Sequence, residues 1–182
     1  MEIITTPITD LLITKPQVFS DKRGFFMETF RQETFDQLGL DISFVQDNHS
    51  FSTYGTLRGL HYQIQHPQGK LVRVVAGEIY DVAVDLREKS STFGLHFGVV
   101  LSADNKKSLW VPPGFAHGFL VLSEQAEFVY KCTDYYAPKF EKTLQWNDPE
   151  LKIAWPLSDK MPLTLSDKDQ AGLPLAQAEI YS

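Results

Sequence analysis

The chain is broken up too often to hold long helices. Outside one short segment, runs rich in Val, Phe, Tyr and Thr alternate with Gly, Pro and Asp, the pattern of short antiparallel strands in a sandwich or barrel. Strands are predicted over KLVRVV and EIYDVAVDLR, joined as paired strands by a tight turn at Ala76-Gly77, and over residues 94–102, 107–111, 117–123 and 126–136. One helix is predicted over 31–40, where Phe35 and Leu38 lie three apart and Gly39 supplies a stop. After Trp155 the chain turns Pro-, Asp- and Lys-rich, which predicts a tail packed over the strands. The expectation is an all-β fold with a few short helices, one domain over 1–182, and no internal repeat.

Composition narrows the function classes. With 17 basic residues against 23 acidic, the net charge is −6, the wrong sign for a nucleic-acid surface but no bar to a local anion site. The single Cys132 can form no internal disulfide, and a chain of 182 residues buries enough surface to fold without one. The opening MEIITTPITDLLITKP lacks a basic patch followed by an apolar run, and no stretch is long and apolar enough to span a bilayer. A cytoplasmic protein without membrane contact is expected.

Strand parity indicates which side chains share an interior. In EIYDVAVDLR, Tyr80, Val82, Val84 and Leu86 form one apolar row, leaving Asp81 and Asp85 on the face of Ile79 and Ala83, where an inward carboxylate needs a partner. Tyr130, Cys132, Asp134 and Tyr136 are expected to line one face, opposite Val129, Lys131 and Thr133. Arg58 and His61, three apart, point to opposite faces of a regular strand, but a bulge at Gly59 would aim both into one cavity.

LRGLHYQIQHPQGKLVRVVAGEIYDV looks like the first half of a metal-binding cupin motif, yet the ligands fail. His61-Tyr62-Gln63 stands where two His are wanted, and Lys70 lies near the position of a Glu; Gln is a poor ligand and an ammonium repels a cation. Pro112-Pro113-Gly114-Phe115-Ala116-His117 matches the second half, so the expectation is a cupin-type jelly roll with no metal or other cofactor. His, Lys, Tyr and a carboxylate suit proton transfer beside a ketone: a general base, its orienting carboxylate, an acid on the other face and an ammonium on the enolate oxygen. Singly, each has a bland reading as a core histidine, an interface tyrosine or a solvated lysine.

Taken together and in order, VFSDKRGFFMETF, FVQDNHS, LRGLHYQ, QGKLVRVVAGEIYDVAVDLR, LWVPPGFAHGFLVLSE, EFVYKCTDYY and LQWND resemble the dTDP-4-dehydrorhamnose 3,5-epimerases, metal-free cupins, over about residues 2–170. The resemblance implies His61 as proton acceptor, Asp169 as its paired carboxylate with Asp167 a close competitor, and Tyr130 as proton donor. Lys70 and His117 fall at substrate contacts, and the charge argument assigns Lys70 to the carbonyl oxygen. Asp81 falls where an aspartate supports the polar network. For the nucleotide end, Gln46 and Asn48 match substrate contacts, Arg23 and Arg58 suit the diphosphate, and Tyr136 matches an aromatic that stacks on thymine. Phe19, Glu28, Glu141 and Lys168 fall at further contact positions.

Homodimers with exchanged N-terminal strands are also implied, in keeping with FFMETF, too apolar to leave as an exposed edge; Arg23 and Glu28 would then act across the interface. Single-carbon epimerases and sugar 3,4-ketoisomerases share the fold and spacing does not tell them apart, but the full Lys70, His61 and Tyr130 set favours epimerisation at both carbons 3 and 5. A sugar-binding cupin without catalysis has no need for His61 and Tyr130, and a metal-dependent oxygenase is disfavoured by Gln63 and Lys70. Cys132 is expected to pack beside Tyr130 as a bystander.

Overall fold

A computed structural model describes all 182 residues. The elements run β1 (Glu2–Thr5), β2 (Leu12–Lys15), β3 (Val18–Asp21), β4 (Gly24–Met27), α1 (Gln32–Asp36), β5 (Gln46–Thr53), β6 (Leu57–Gln63), β7 (Lys70–Ala76), β8 (Glu78–Asp85), β9 (His96–Ser102), β10 (Ser108–Val111), β11 (Phe115–Val121), β12 (Gln125–Cys132), β13 (Glu141–Thr143) and α2 (Asp167–Gln170). Strands dominate, as the punctuation predicts. A six-stranded sheet ordered β1-β2-β10-β7-β12-β5 faces a five-stranded sheet ordered β13-β6-β11-β8-β9, while β3 and β4 form a separate hairpin. No strand is shared by the two sheets, so this is a jelly-roll-like sandwich rather than a closed barrel.

Period-2 alternation fills the space between the sheets. Val72, Val74, Leu109, Val111 and Phe128 from one sheet meet Ile79, Ala83, Phe119 and Val121 from the other in a core of 15 buried residues. The opposite faces carry their own covers. Leu71 and Trp110 lie under Phe35 of α1, and Ile42 joins them. Leu60, Tyr62, Val82, Val84 and Leu86 lie under Leu144 and Leu151, with Trp155 and Tyr181 packed alongside, so the tail after β13 covers the five-stranded sheet. The two predicted faces of β8 are thus observed: Asp81 and Asp85 are fully buried on the side of Ile79 and Ala83, and both have partners.

Three expectations are corrected. β7 and β8 are not paired, because the chain crosses between sheets at Gly77, whose φ of 75° places it in the left-handed region. The helix covers only Gln32–Asp36; a single buried side chain, Phe35, anchors it, and Gly39 (φ 73°) turns the chain just beyond, leaving Leu38 exposed. β12 stops at Cys132 instead of Tyr136: the Tyr135 amide turns to its neighbour Asp134 Oδ1, and the Tyr136 amide to Gln46 Oε1. Asp134 and Tyr136 therefore do not extend the Tyr130–Cys132 face. No helix is long and apolar enough to cross a membrane.

Candidate active site

One end of the sandwich is lined with polar side chains instead of Val and Leu. In β12 the inward series runs Phe128, Tyr130, Cys132, and register sets Tyr130 between Asn48 of β5 and Val72 of β7, with Lys70 beside Cys132. Across the gap, His61 of β6 pairs with His117 of β11. The ladder shifts between His117 and Phe119, so Gly59 and Leu60 together take the place of one residue. This is the bulge expected from spacing, and it brings Arg58 onto the same cavity as His61. Gly59 has φ 115°, and a Cβ there would lie 2.6 Å from Gly118 Cα.

The resulting cavity, about 340 Å³, contains ten of the side chains singled out from sequence: His61, Tyr130, Lys70, His117 and Arg58, together with Gln46, Asn48, Tyr136, Glu141 and Lys168. Two carboxylates stand behind the histidines. His61 Nε2 lies 2.6 Å from Asp169 Oδ1, which also accepts the Gly59 amide at 3.0 Å; Ser166 Oγ donates to Asp169 Oδ2 at 2.6 Å. Asp169, not Asp167, is the partner, because in the N-terminal turn of α2 it closes a capping box with Ser166 and points inward. Burial works to raise its pKa, but hydrogen bonds from His61, Ser166 and the Gly59 amide outweigh it and hold the carboxyl far below the usual range. His61 Nδ1 has no protein partner.

His117 repeats the arrangement at greater depth. Its Nε2 lies 2.9 and 3.1 Å from the two oxygens of Asp81, and its ring stacks on Phe128. The Lys70 side chain makes no ion pair or hydrogen bond within the chain, and burial pushes its ammonium below the ordinary lysine value. The Tyr130 hydroxyl is likewise unpaired, and burial pushes its phenol up. These two groups are thus free to meet a ligand.

At the rim, Glu141 accepts Lys168 Nζ on one oxygen and the Tyr136 hydroxyl on the other, both at 2.8 Å. Burial works to raise the Glu141 pKa, but these two bonds together with neighbouring positive charge, that of Lys168 foremost, hold the carboxyl below its ordinary value. Arg58 Nε donates to Ser52 Oγ at 2.9 Å. Gln46 Nε2 donates to Asn48 Oδ1, and Asn48 Nδ2 contacts Cys132 Sγ at 3.5 Å, so Cys132 takes part in orienting an amide rather than simply filling space.

Phe19, Arg23 and Glu28 lie elsewhere. Arg23 pairs with Asp21 on the β3–β4 hairpin, Glu28 pairs with Arg31, and Phe19 is exposed. Four further lining side chains escaped the sequence reading: Ser50, Gln68, Phe119 and Phe128. Parity held the signal for three of them, since Phe119 shares a face with His117, Phe128 with Tyr130, and Ser50 with Asn48. Gln63, at the position of a lost cupin ligand, instead donates to the carbonyls of His66 and Tyr135. No three His, Cys, Asp or Glu side chains converge in a group that could hold a metal ion.

An oriented imidazole, a free phenol and a free ammonium around one cavity of a cupin-like sandwich define an acid–base isomerase, a protein that moves protons beside a carbonyl. The family model for dTDP-4-dehydrorhamnose 3,5-epimerase matches residues 5–177, and the chain belongs to that family. It is 56% identical over 182 residues to the dTDP-4-dehydrorhamnose 3,5-epimerase of Pseudomonas aeruginosa, covering 100% of this chain and 99% of that one. Identity to the Neisseria gonorrhoeae enzyme of the same name is 60% over 179 residues, 98% of this chain but only 54% of that relative's length. The crystal structure of dTDP-6-deoxy-D-glucose-3,5-epimerase from Legionella pneumophila in complex with dTDP-4-keto-L-rhamnose superposes with a TM-score of 0.94 at 51% identity, covering 98% of this chain and 94% of that one.

Proposed function

We propose that this chain converts dTDP-4-dehydro-6-deoxy-D-glucose to dTDP-4-dehydro-L-rhamnose by inverting carbons 3 and 5, with His61, Tyr130, Lys70 and Asp169 as the catalytic set. The observation that carries the reading is the pairing of His61 with Asp169 in a cavity where Tyr130 and Lys70 are left without protein partners. Carbons 3 and 5 both flank the C4 ketone. His61 Nδ1 takes the proton, the C–H electrons become the C=C of an enolate, and the negative charge gathers on O4 against Lys70. Tyr130 then returns a proton from the opposite face, and both groups re-equilibrate with solvent. Inversion thus needs no change of oxidation state. Asp169 fixes the His61 tautomer and stabilises the imidazolium, and Asp81 holds His117 against the substrate in the same way.

The nucleotide is assigned to the rim. Arg58 suits the diphosphate by its forked donors, Tyr136 offers a face to thymine, and Gln46, Asn48, Glu141 and Lys168 complete the polar wall. We further propose a homodimer in which the β3–β4 hairpin enters the partner's site, bringing Phe19, Arg23 and Glu28 to the nucleotide. Support comes from Phe19, Phe25 and Phe26, all more than half exposed on a two-stranded hairpin. A charged nucleotide sugar and one free, buried thiol accord with a cytoplasmic setting.

The test is exchange in heavy water. Incubation with dTDP-4-keto-6-deoxyglucose should place deuterium at carbons 3 and 5, and His61→Ala should abolish both. Deuterium at one carbon only would make this a single-centre epimerase, and none would return the reading to a binding protein. A monomeric solution mass with full activity would remove the dimer from it.

A further inference from the structure

Nearly every side chain that lines the active-site cavity carries a hydrogen-bonding group; Phe119 and Phe128 do not. They form one apolar wall, both almost fully buried, with ring centroids 4.6 Å apart. That wall lies beside Tyr130 and beside His117, which pairs with His61 across the ladder. The Phe128 ring stacks on His117 with centroids 6.2 Å apart and an interplanar angle of 19°, and its centroid is 5.5 Å from that of Tyr130.

We infer that the Phe119–Phe128 wall seats the sugar's 6-methyl group and makes the site selective for 6-deoxy sugars over sugars with a 6-hydroxyl. This rests on the epimerase reading above. Carbon 5 must sit between His61 and Tyr130 to be inverted, and carbon 6 is one bond away, so the methyl has to lie against the surface next to those two groups. The sugar's other exocyclic positions carry oxygens, which match polar side chains of the cavity such as Lys70 and Gln68. The methyl carries none, and the two phenyl rings are the surface that asks for none. A 6-hydroxyl placed there would lose water and gain no partner. An apolar pocket rejects an added hydroxyl by roughly ten- to a hundredfold.

The test separates this inference from the reading beneath it by using two unreactive ligands, dTDP-6-deoxy-D-glucose and dTDP-D-glucose, which differ only in that hydroxyl. Calorimetric titration of the intact protein should show the 6-deoxy compound binding about tenfold or more tightly. Equal affinities would overturn the inference even with deuterium exchange intact, whereas loss of exchange alone strikes the catalytic reading and not this one. Phe119→Thr puts a hydroxyl into the wall and should cut the preference at least threefold while leaving the affinity for dTDP alone unchanged. Should that variant not fold, Phe128→Tyr, which keeps the ring and adds one hydroxyl, takes its place with the same expected fall. A preference that neither substitution alters would show that the methyl rests elsewhere.

Discussion

Replacing Asp169 by Asn keeps the shape of the side chain and removes its charge. Asp169 is buried, its Oδ1 lies 2.6 Å from His61 Nε2, and it stands behind the imidazole without lining the cavity. In the proposed mechanism His61 accepts the substrate proton, and the imidazolium and carboxylate then form an ion pair whose charge centres are about 4 Å apart. At an effective dielectric constant of about 20, that attraction is about 4 kcal/mol. Each tenfold in rate corresponds to about 1.4 kcal/mol, so deuterium exchange at carbons 3 and 5 should slow about a thousandfold in Asp169→Asn. KM should change little, because the lost interaction appears only once the proton has moved. A fall in kcat of less than tenfold, or a loss confined to KM, would refute the argument. The same substitution alters acid stability. Because the folded pKa of Asp169 is depressed, its contribution is present above the unfolded value near 3.8 and fades as pH falls below it toward the folded one. The wild-type protein should therefore lose more stability below about pH 4 than Asp169→Asn does.

Tyr130→Phe should uncouple exchange from inversion: His61 still removes a proton and returns a deuteron to the same face, so NMR should find label entering while inverted product falls by roughly two to four orders of magnitude. Equal loss of both would mean that Tyr130 is not the acid. If Lys70 acts as a cation, as proposed, with a pKa that burial has lowered, activity should decline on an alkaline limb below 10.5 as the ammonium is lost, a limb absent from the residual activity of Lys70→Met. The pH–rate profiles of the two proteins decide this. Gly59→Ala forces a Cβ to 2.6 Å from Gly118 Cα and 2.7 Å from the His117 carbonyl at a φ of 115°, and should cost about 2 kcal/mol or more. Scanning calorimetry should find Tm lower by at least about 4 °C, and an unchanged Tm would show that the bulge can relax.

Local pattern carried much of this protein. Alternation along β8 set Asp81 and Asp85 on one face with Ile79 and Ala83, and the spacing of Arg58, Gly59 and His61 pointed to the bulge that sets both side chains on one cavity. The motif blocks carried the family, and with it the residues around the cavity. These are short-range properties: a strand's period of two is written into neighbouring residues whatever that strand later pairs with.

Tertiary structure alone decided which strands meet. KLVRVV and EIYDVAVDLR adjoin in the chain yet enter different sheets, because each apolar face is satisfied by the opposing layer and a left-handed glycine lets the chain cross. It decided, too, that Asp169 and not Asp167 reaches an imidazole 108 residues earlier, since a capping turn two residues out of phase would aim the carboxylate away. Tyr136 left the predicted strand and still reached the cavity, held by Gln46 and Glu141. Phe19 and Arg23 stayed on a hairpin away from it, with Glu28 just beyond that hairpin's end. Contacts so distant in sequence arise only when whole layers pack, and packing of layers is a property of the complete chain that no window of residues contains.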